Sequence, residues 1–197
     1  QALATSQQGV VLPVESNGTV SSAYAAWNTN PCSSDKANAV VAAIGAVIRD
    51  LHTTHPELAN VVLVGNDDMI PFARLTDATR WGNESAYADS FATASPLHAA
   101  LSTGHDLSDN PYADLDPIKW LDRRLYVPDL ALGRLVETPQ QISHQVDVFT
   151  TANGVLDPSK AYSAGYDFMA DGADSVADAL TGSLTKANNG TAPTLTR

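Results

Sequence analysis

The chain has one cysteine, Cys32. That excludes an internal disulfide framework and any multi-thiolate metal site. Basic residues are also scarce: 11 Lys and Arg stand against 22 Asp and Glu, for a formal charge of −11. A surface of that sign repels a phosphate backbone, so no nucleic-acid partner is expected. Long hydrophobic runs are lacking. The longest apolar run covers residues 39–48, whereas a membrane-spanning helix needs roughly 20 residues. There is no Gly-x-Ser-x-Gly elbow, Walker loop, dinucleotide fingerprint or zinc-ligand spacing. The sequence opens at Gln1 without a starting Met or a signal peptide, and a mature form or a fragment is expected.

What is present is a globular composition. Of 197 residues, 44% are apolar and 17% charged, enough to build a core. The acids are lopsided, with 18 Asp to 4 Glu, and Lys contributes only 4 of the 11 cations. Asp favours turns, caps and cation loops where Glu favours helix interiors. Such a surface suits a secreted, calcium-binding or salt-adapted protein.

Hydropathy patterning predicts alternating helices and strands. Residues 9–15 read as a short strand stopped by Pro13, and residues 20–27 as a short helix. The clearest helix covers 35–52, where Ala37, Val40, Val41, Ile44, Val47, Ile48 and Leu51 form one stripe. Ser33 or Ser34 caps it and Pro56 bars its extension. The continuous run Asn60-Val61-Val62-Leu63-Val64-Gly65 reads as a strand buried on both faces, as in a parallel sheet. Residues 66–124 show weak periodicity and read as a long functional or ion-stabilised loop. Strand character resumes over 125–135 around Pro128. Thr138-Pro139-Gln140-Gln141 is a capping box with Pro at the first helical position, and Asn153-Gly154 closes that helix. Residues 161–168 are a candidate strand, 173–186 a candidate helix and 191–197 a further strand. Helix followed by buried strand is half of an α/β unit.

Three acidic constellations could carry chemistry. Asp67 and Asp68 follow the carboxyl end of a buried strand, where open α/β sheets place their ligands, although spacing alone favours a turn capped by side chains. Asp109, Asp114 and Asp116 put three hard oxygen ligands in one short loop. Calcium takes roughly six to eight oxygens, so the loop suits either a calcium ion or solvent; it does not match an EF-hand. Asp167 ends a candidate strand, where it reads as a turn acid, a helix cap or the orienting member of a nucleophilic triad. The histidines, His52, His55, His98, His105 and His144, do not form a recognisable site with Cys32, which reads as a free or externally paired thiol.

These segments, in this order, resemble the gingipain-type cysteine peptidases, a branch of the caspase-like fold. The resemblance begins with the helix 37–51 leading into Asn60-Val61-Val62-Leu63-Val64-Gly65-Asn66-Asp67-Asp68-Met69-Ile70-Pro71, and rests further on Ser108-Asp109-Asn110-Pro111-Tyr112-Ala113-Asp114-Leu115 and on Val127-Pro128-Asp129-Leu130-Ala131-Leu132-Gly133-Arg134. It continues in the strand and acidic turn from Ala161 to Asp171. It implies a three-layer αβα fold with a mostly parallel caspase-like sheet, incomplete at its carboxyl side. Residues 1–34 would be an N-terminal strand and loop region, and 35–197 part of the peptidase domain. In the family a His-Gly pair and a later Cys form the catalytic dyad. Neither occurs at the matching place here, which puts both beyond residue 197 and leaves this chain alone inactive.

By the same resemblance Asp167 would orient the catalytic histidine, and one of Asp171, Asp174 or Asp178 would contact a basic substrate side chain. A structural calcium ion is implied at Asp109, Asp114 and Asp116, with no cofactor required for the chemistry. The expected partner is a protein or peptide substrate, and the expected location extracellular or at the cell surface. The rival expectations are a non-catalytic caspase-like binding scaffold and an extracellular calcium-dependent surface module.

Overall fold

The structure is a computed structural model and describes residues 1–79, 83–136, 138–155, 161–163, 170–180 and 184–186. The fold is mixed α/β. The chain divides into two compact units, residues 1–145 and 146–197.

The first unit is organised around one helix. Helices α1 (Ala2–Ser6) and α2 (Gly18–Asn28) precede α3 (Ser34–Thr54). Asn17 caps α2, accepting from the backbone N–H of Thr19 and Val20 at 3.0 and 3.2 Å. Ser33 caps α3 through Lys36 N–H, as the sequence predicts. The stripe of α3 buries Ala37, Val40, Val41, Ile44 and Ile48. These pack with Val20 and Trp27 of α2 and with Leu63, Ala73, Tyr112, Ala113 and Leu130 in one core.

Strand β1 (Asn60–Val64) follows α3, and β2 (Ala73–Thr76) follows the loop after it. Residues 84–90 form a 3-10 turn. Then come α4 (Pro96–Ser102), β3 (His105–Ser108), the single turn α5 (Asn110–Ala113), β4 (Ile118–Trp120), β5 (Arg123–Leu125) and β6 (Ala131–Leu135). Strands β1 and β6 pair in parallel, with Leu63 opposite Arg134. Strands β2 and β3 pair antiparallel, as do β4 and β5. Helix α6 (Pro139–Thr151) opens with the expected capping box: Thr138 N–H and Oγ donate to Gln141 Oε1, and Gln141 N–H returns to Thr138 Oγ. Asn153 and Gly154 adopt φ of 52° and 73° and close it, Gly154 N–H bonding to Phe149 O at 2.9 Å.

In the second unit, β7 (Ala161–Ser163) pairs in parallel with β8 (Leu184–Lys186), and α7 (Ala170–Ala179) lies between them in sequence. Ser163 Oγ donates to Ala173 O at 2.8 Å, tying β7 to α7.

Four expectations are corrected. Residues 9–15 are not a strand: Val10 and Val11 are exposed, and Ser16 N–H and Oγ both bond to Pro13 O in a 3-10 turn. Pro13 offers no ladder donor, and the backbone is satisfied locally instead. Strand β1 is not buried on both faces. Val61 and Leu63 face the core, while Val62 and Val64 are 45% and 51% exposed. An apolar run reports what a strand tolerates on each face, and here α3 covers only one. Residues 66–124 are not one loop but a series of short elements, each too brief to show a period. The helix expected over 173–186 spans Ala170–Ala179 instead, and Leu184–Lys186 is a strand. The sequence Thr181-Gly182, poor in helix formers, separates the two. The strand expected over 191–197 lies outside the described residues.

Candidate functional site

The best-defined polar assembly sits at the carboxyl end of β1, where residues 65–72 turn the chain towards β2. Gly65 has φ +141°, and a Cβ there would lie 2.9 Å from Met69 Cβ; only glycine fits. Met69 and Ile70 N–H both bond back to Asn66 O. The turn is then held by side chains from four other elements, one of them braced by a fifth.

Asp67 is buried. Its Oδ1 and Oδ2 each accept from a different terminal nitrogen of Arg74, both at 2.6 Å, and Oδ1 also accepts Phe72 N–H at 2.9 Å. Arg74 is itself buried on β2 and donates to Phe72 O as well. Asn38 of α3 brackets the backbone of Arg74, accepting its N–H at 2.7 Å and donating to its carbonyl at 2.9 Å. Arg134 of β6 donates to Gly65 O at 2.8 Å and Ile70 O at 2.7 Å, and its other nitrogens grip Asp109. The guanidinium carbon lies 4.3 Å from the centroid of the Phe72 ring, a cation–π contact. Tyr112 of α5, fully buried, donates to Pro71 O at 2.6 Å; Tyr24 of α2 donates to Met69 O at 2.5 Å. Burial pushes both phenols above the usual tyrosine range, with the Arg134 charge opposing the rise.

Chemically this is a clamp. Every carboxylate oxygen and guanidinium nitrogen described in it is spent on holding the loop, and bidentate pairing of this kind fixes geometry. The exposed tip carries Asn66, Asp68 and Met69. Asp67 is therefore the side-chain-capped turn that spacing favoured, and Asp68 faces solvent.

The acidic loop divides. Asp109 is engaged by Arg134 and stands apart from the others. Asp114, Asp116 and Asp129 come together instead, with carboxylate oxygens within 4.8 Å of one another. Asp114 is buried, its Oδ1 accepting Asp116 N–H and its Oδ2 accepting Val127 N–H at 2.6 Å. Asp129 Oδ2 accepts Leu115 N–H at 2.8 Å. Second lone pairs on these oxygens suit a hard cation. Asp129 was legible as part of the Pro-Asp segment but carried no metal role there.

On α7, Asp171, Asp174 and Asp178 are all exposed, and their i, i+3, i+7 spacing puts them on one helix face. Asp171 Oδ1 accepts Gly172 N–H; Asp174 and Asp178 are each engaged in interactions of their own. Asp167 lies outside the described residues. Cys32 is exposed, and its sulfur is 3.8 Å from Ala94 O. Among the described residues no histidine bonds to it. His98 meets Ala88 O, His105 meets Thr103 Oγ and Ala100 O, and His55 meets Glu57.

The sequence model of Peptidase family C25 matches residues 16–196. The chain belongs to that family. No curated protein and no solved structure matches it significantly. Peptidase family C25 is the gingipain family of cysteine peptidases. The C25 match covers the clamp, the acidic loop and α7 alike. Of the clamp residues, Arg134 and Tyr112 stand inside the segments that carried the resemblance. Arg74 does not; a lone Arg between Ala73 and Leu75 was the available signal, since a charge in a short apolar strand demands a buried partner.

Proposed function

We propose that this chain is part of the catalytic domain of a secreted cysteine endopeptidase whose Cys/His dyad is contributed by residues beyond 197. The C25 match over residues 16–196 carries this reading. In the reaction the thiolate attacks the scissile carbonyl carbon, and the imidazolium gives its proton to the amine as the C–N bond breaks. Water then hydrolyses the thioester and restores the thiol. The clamp fixes the carboxyl end of β1, the end of a strand at which open α/β sheets place their ligands. Asp167 is assigned the histidine-orienting role, and one of Asp171, Asp174 or Asp178 the contact to a basic substrate side chain. Calcium at Asp114, Asp116 and Asp129 would be structural.

The test is peptide cleavage by the parent protein and by residues 1–197 alone, with and without a thiol-alkylating reagent. The parent should cleave labelled peptides in a reagent-sensitive way, and the 197-residue chain should not. Turnover by the short chain that Cys32→Ala abolishes would overturn the reading. A parent without thiol-sensitive cleavage would favour a caspase-like binding scaffold.

A further inference from the structure

The hairpin β4–β5 is unlike the rest of this acidic chain. Lys119, Arg123 and Arg124 are three of its 11 basic residues. Register sets Lys119 directly opposite Arg124, a like-charge pairing that weakens a hairpin in isolation. Asp122 is the only acid among residues 117–127, and it meets Arg123 Nε at 3.4 Å, largely exposed. The cations line an open concavity of about 540 Å³ together with Pro117, Leu121 and Asp122.

Alongside them stands an apolar set that no described residue covers. Ile118 and Trp120 are 54% and 55% exposed, and Leu121 at the tip is 79% exposed. Leu121 also has φ +54°, the left-handed region that favours glycine. A strained, exposed leucine at a turn contributes nothing to folding that glycine would not do better. Contiguous exposed apolar residues rimmed by charge mark an interaction site.

We propose that this hairpin docks on anionic lipid surfaces, with Leu121 and Trp120 entering the interface and Lys119, Arg123 and Arg124 pairing with acidic headgroups. Three features favour lipid over an acidic protein. Trp120 and Leu121 sit together at the hairpin tip; Trp is at home at a membrane–water boundary; Arg123 flanks the tip and Lys119 and Arg124 pair one register step behind it, where lipid phosphates lie. The tip is too short to span, in keeping with the finding that no described helix is long and apolar enough to cross a membrane. This role is independent of peptide hydrolysis.

The experiment is cosedimentation of the full chain with phosphatidylcholine vesicles, with and without phosphatidylglycerol. Binding is expected only to the acidic vesicles, falling as salt rises. The Arg123→Gln/Arg124→Gln pair should weaken it on the order of tenfold. Leu121→Gly should weaken it while leaving the protein at least as resistant to urea, which separates lost docking from lost folding. Absence of binding to acidic vesicles, or binding indifferent to these substitutions, would overturn the proposal. So would a dimer in solution that the same substitutions dissolve, because a second copy would then be the occupant.

Discussion

Asp67 and Arg74 close a seven-residue step of chain with two parallel hydrogen bonds of 2.6 Å, and neither side chain is more than 5% exposed. The pair converts the exit from β1 into a fixed corner. Because both charges are out of water, each depends on the other. Desolvation of a buried ion costs several kcal/mol, and the partner's field and hydrogen bonds offset it.

Asp67→Ala should therefore be severe. It leaves a buried guanidinium with only the Phe72 carbonyl, and a loss of about 3–5 kcal/mol is expected. Joint replacement, Asp67→Leu with Arg74→Met, should recover most of that loss, since no buried charge remains. Urea denaturation of the two variants checks both. A double variant as unstable as the single one would mean that the corner's shape, not its charge balance, is what matters.

Tyr112 hangs on one acceptor, Pro71 O. Removing its hydroxyl in Tyr112→Phe leaves that carbonyl unsatisfied in the core and should cost about 1–3 kcal/mol. The alkaline limb carries a second signature. Burial holds the folded phenol's pKa above its unfolded value of about 10. Above that pH the unfolded chain sheds a proton that the native state keeps, so stability falls as pH rises. The phenylalanine variant should lose less stability than the wild type between neutral and strongly alkaline pH. Denaturation midpoints across that range measure it.

How much of this could be read beforehand depended on where the information lies. Helix α3 was legible because seven apolar positions share one face over about four turns of sequence, and α6 because Thr138, Pro139 and Gln141 encode its start locally. The clamp was not. Asn38 meets Arg74 across 36 residues and Arg134 meets Gly65 across 69, and no local pattern encodes such partners. Misreading residues 66–124 has a similar root: strands of three or four residues show neither period. The acidic loop was found, but its grouping was not, because Asp129 arrives from the far side of the β4–β5 hairpin while Asp109 turns away to Arg134.

Asp106 on β3 offers a test in the opposite sense. Its carboxyl is half-buried, which raises its pKa, and the nearby charge of Asp77 raises it further. The folded state then binds a proton more tightly than the unfolded chain, so stability declines as pH climbs through the carboxylate range from about 4. Asp106→Asn mimics the protonated form. It should raise the thermal midpoint at neutral pH, with the gain vanishing as pH falls below that range. A variant that is less stable than wild type at neutral pH would show that the charge is held by a favourable contact.

Calcium should act through Asp114, Asp116 and Asp129. Without a cation, three carboxylates within 4.8 Å repel one another, and the backbone N–H groups facing Asp114 and Asp129 offset only part of that. An ion bound to the native state alone adds about 2.7 kcal/mol when its concentration is a hundredfold above its Kd. A calcium-dependent rise in the thermal midpoint is therefore expected. Asp116→Asn with Asp129→Asn should abolish the rise while leaving the calcium-free protein folded, because Asp116 and Asp129 are exposed and Asn can still accept Leu115 N–H. Asp109→Asn should leave the rise intact and weaken the protein at all calcium levels, since its partner is Arg134. If Asp109→Asn removed the calcium response and the other pair did not, the ion would sit with the grouping suggested by chain proximity instead of the one formed in the fold.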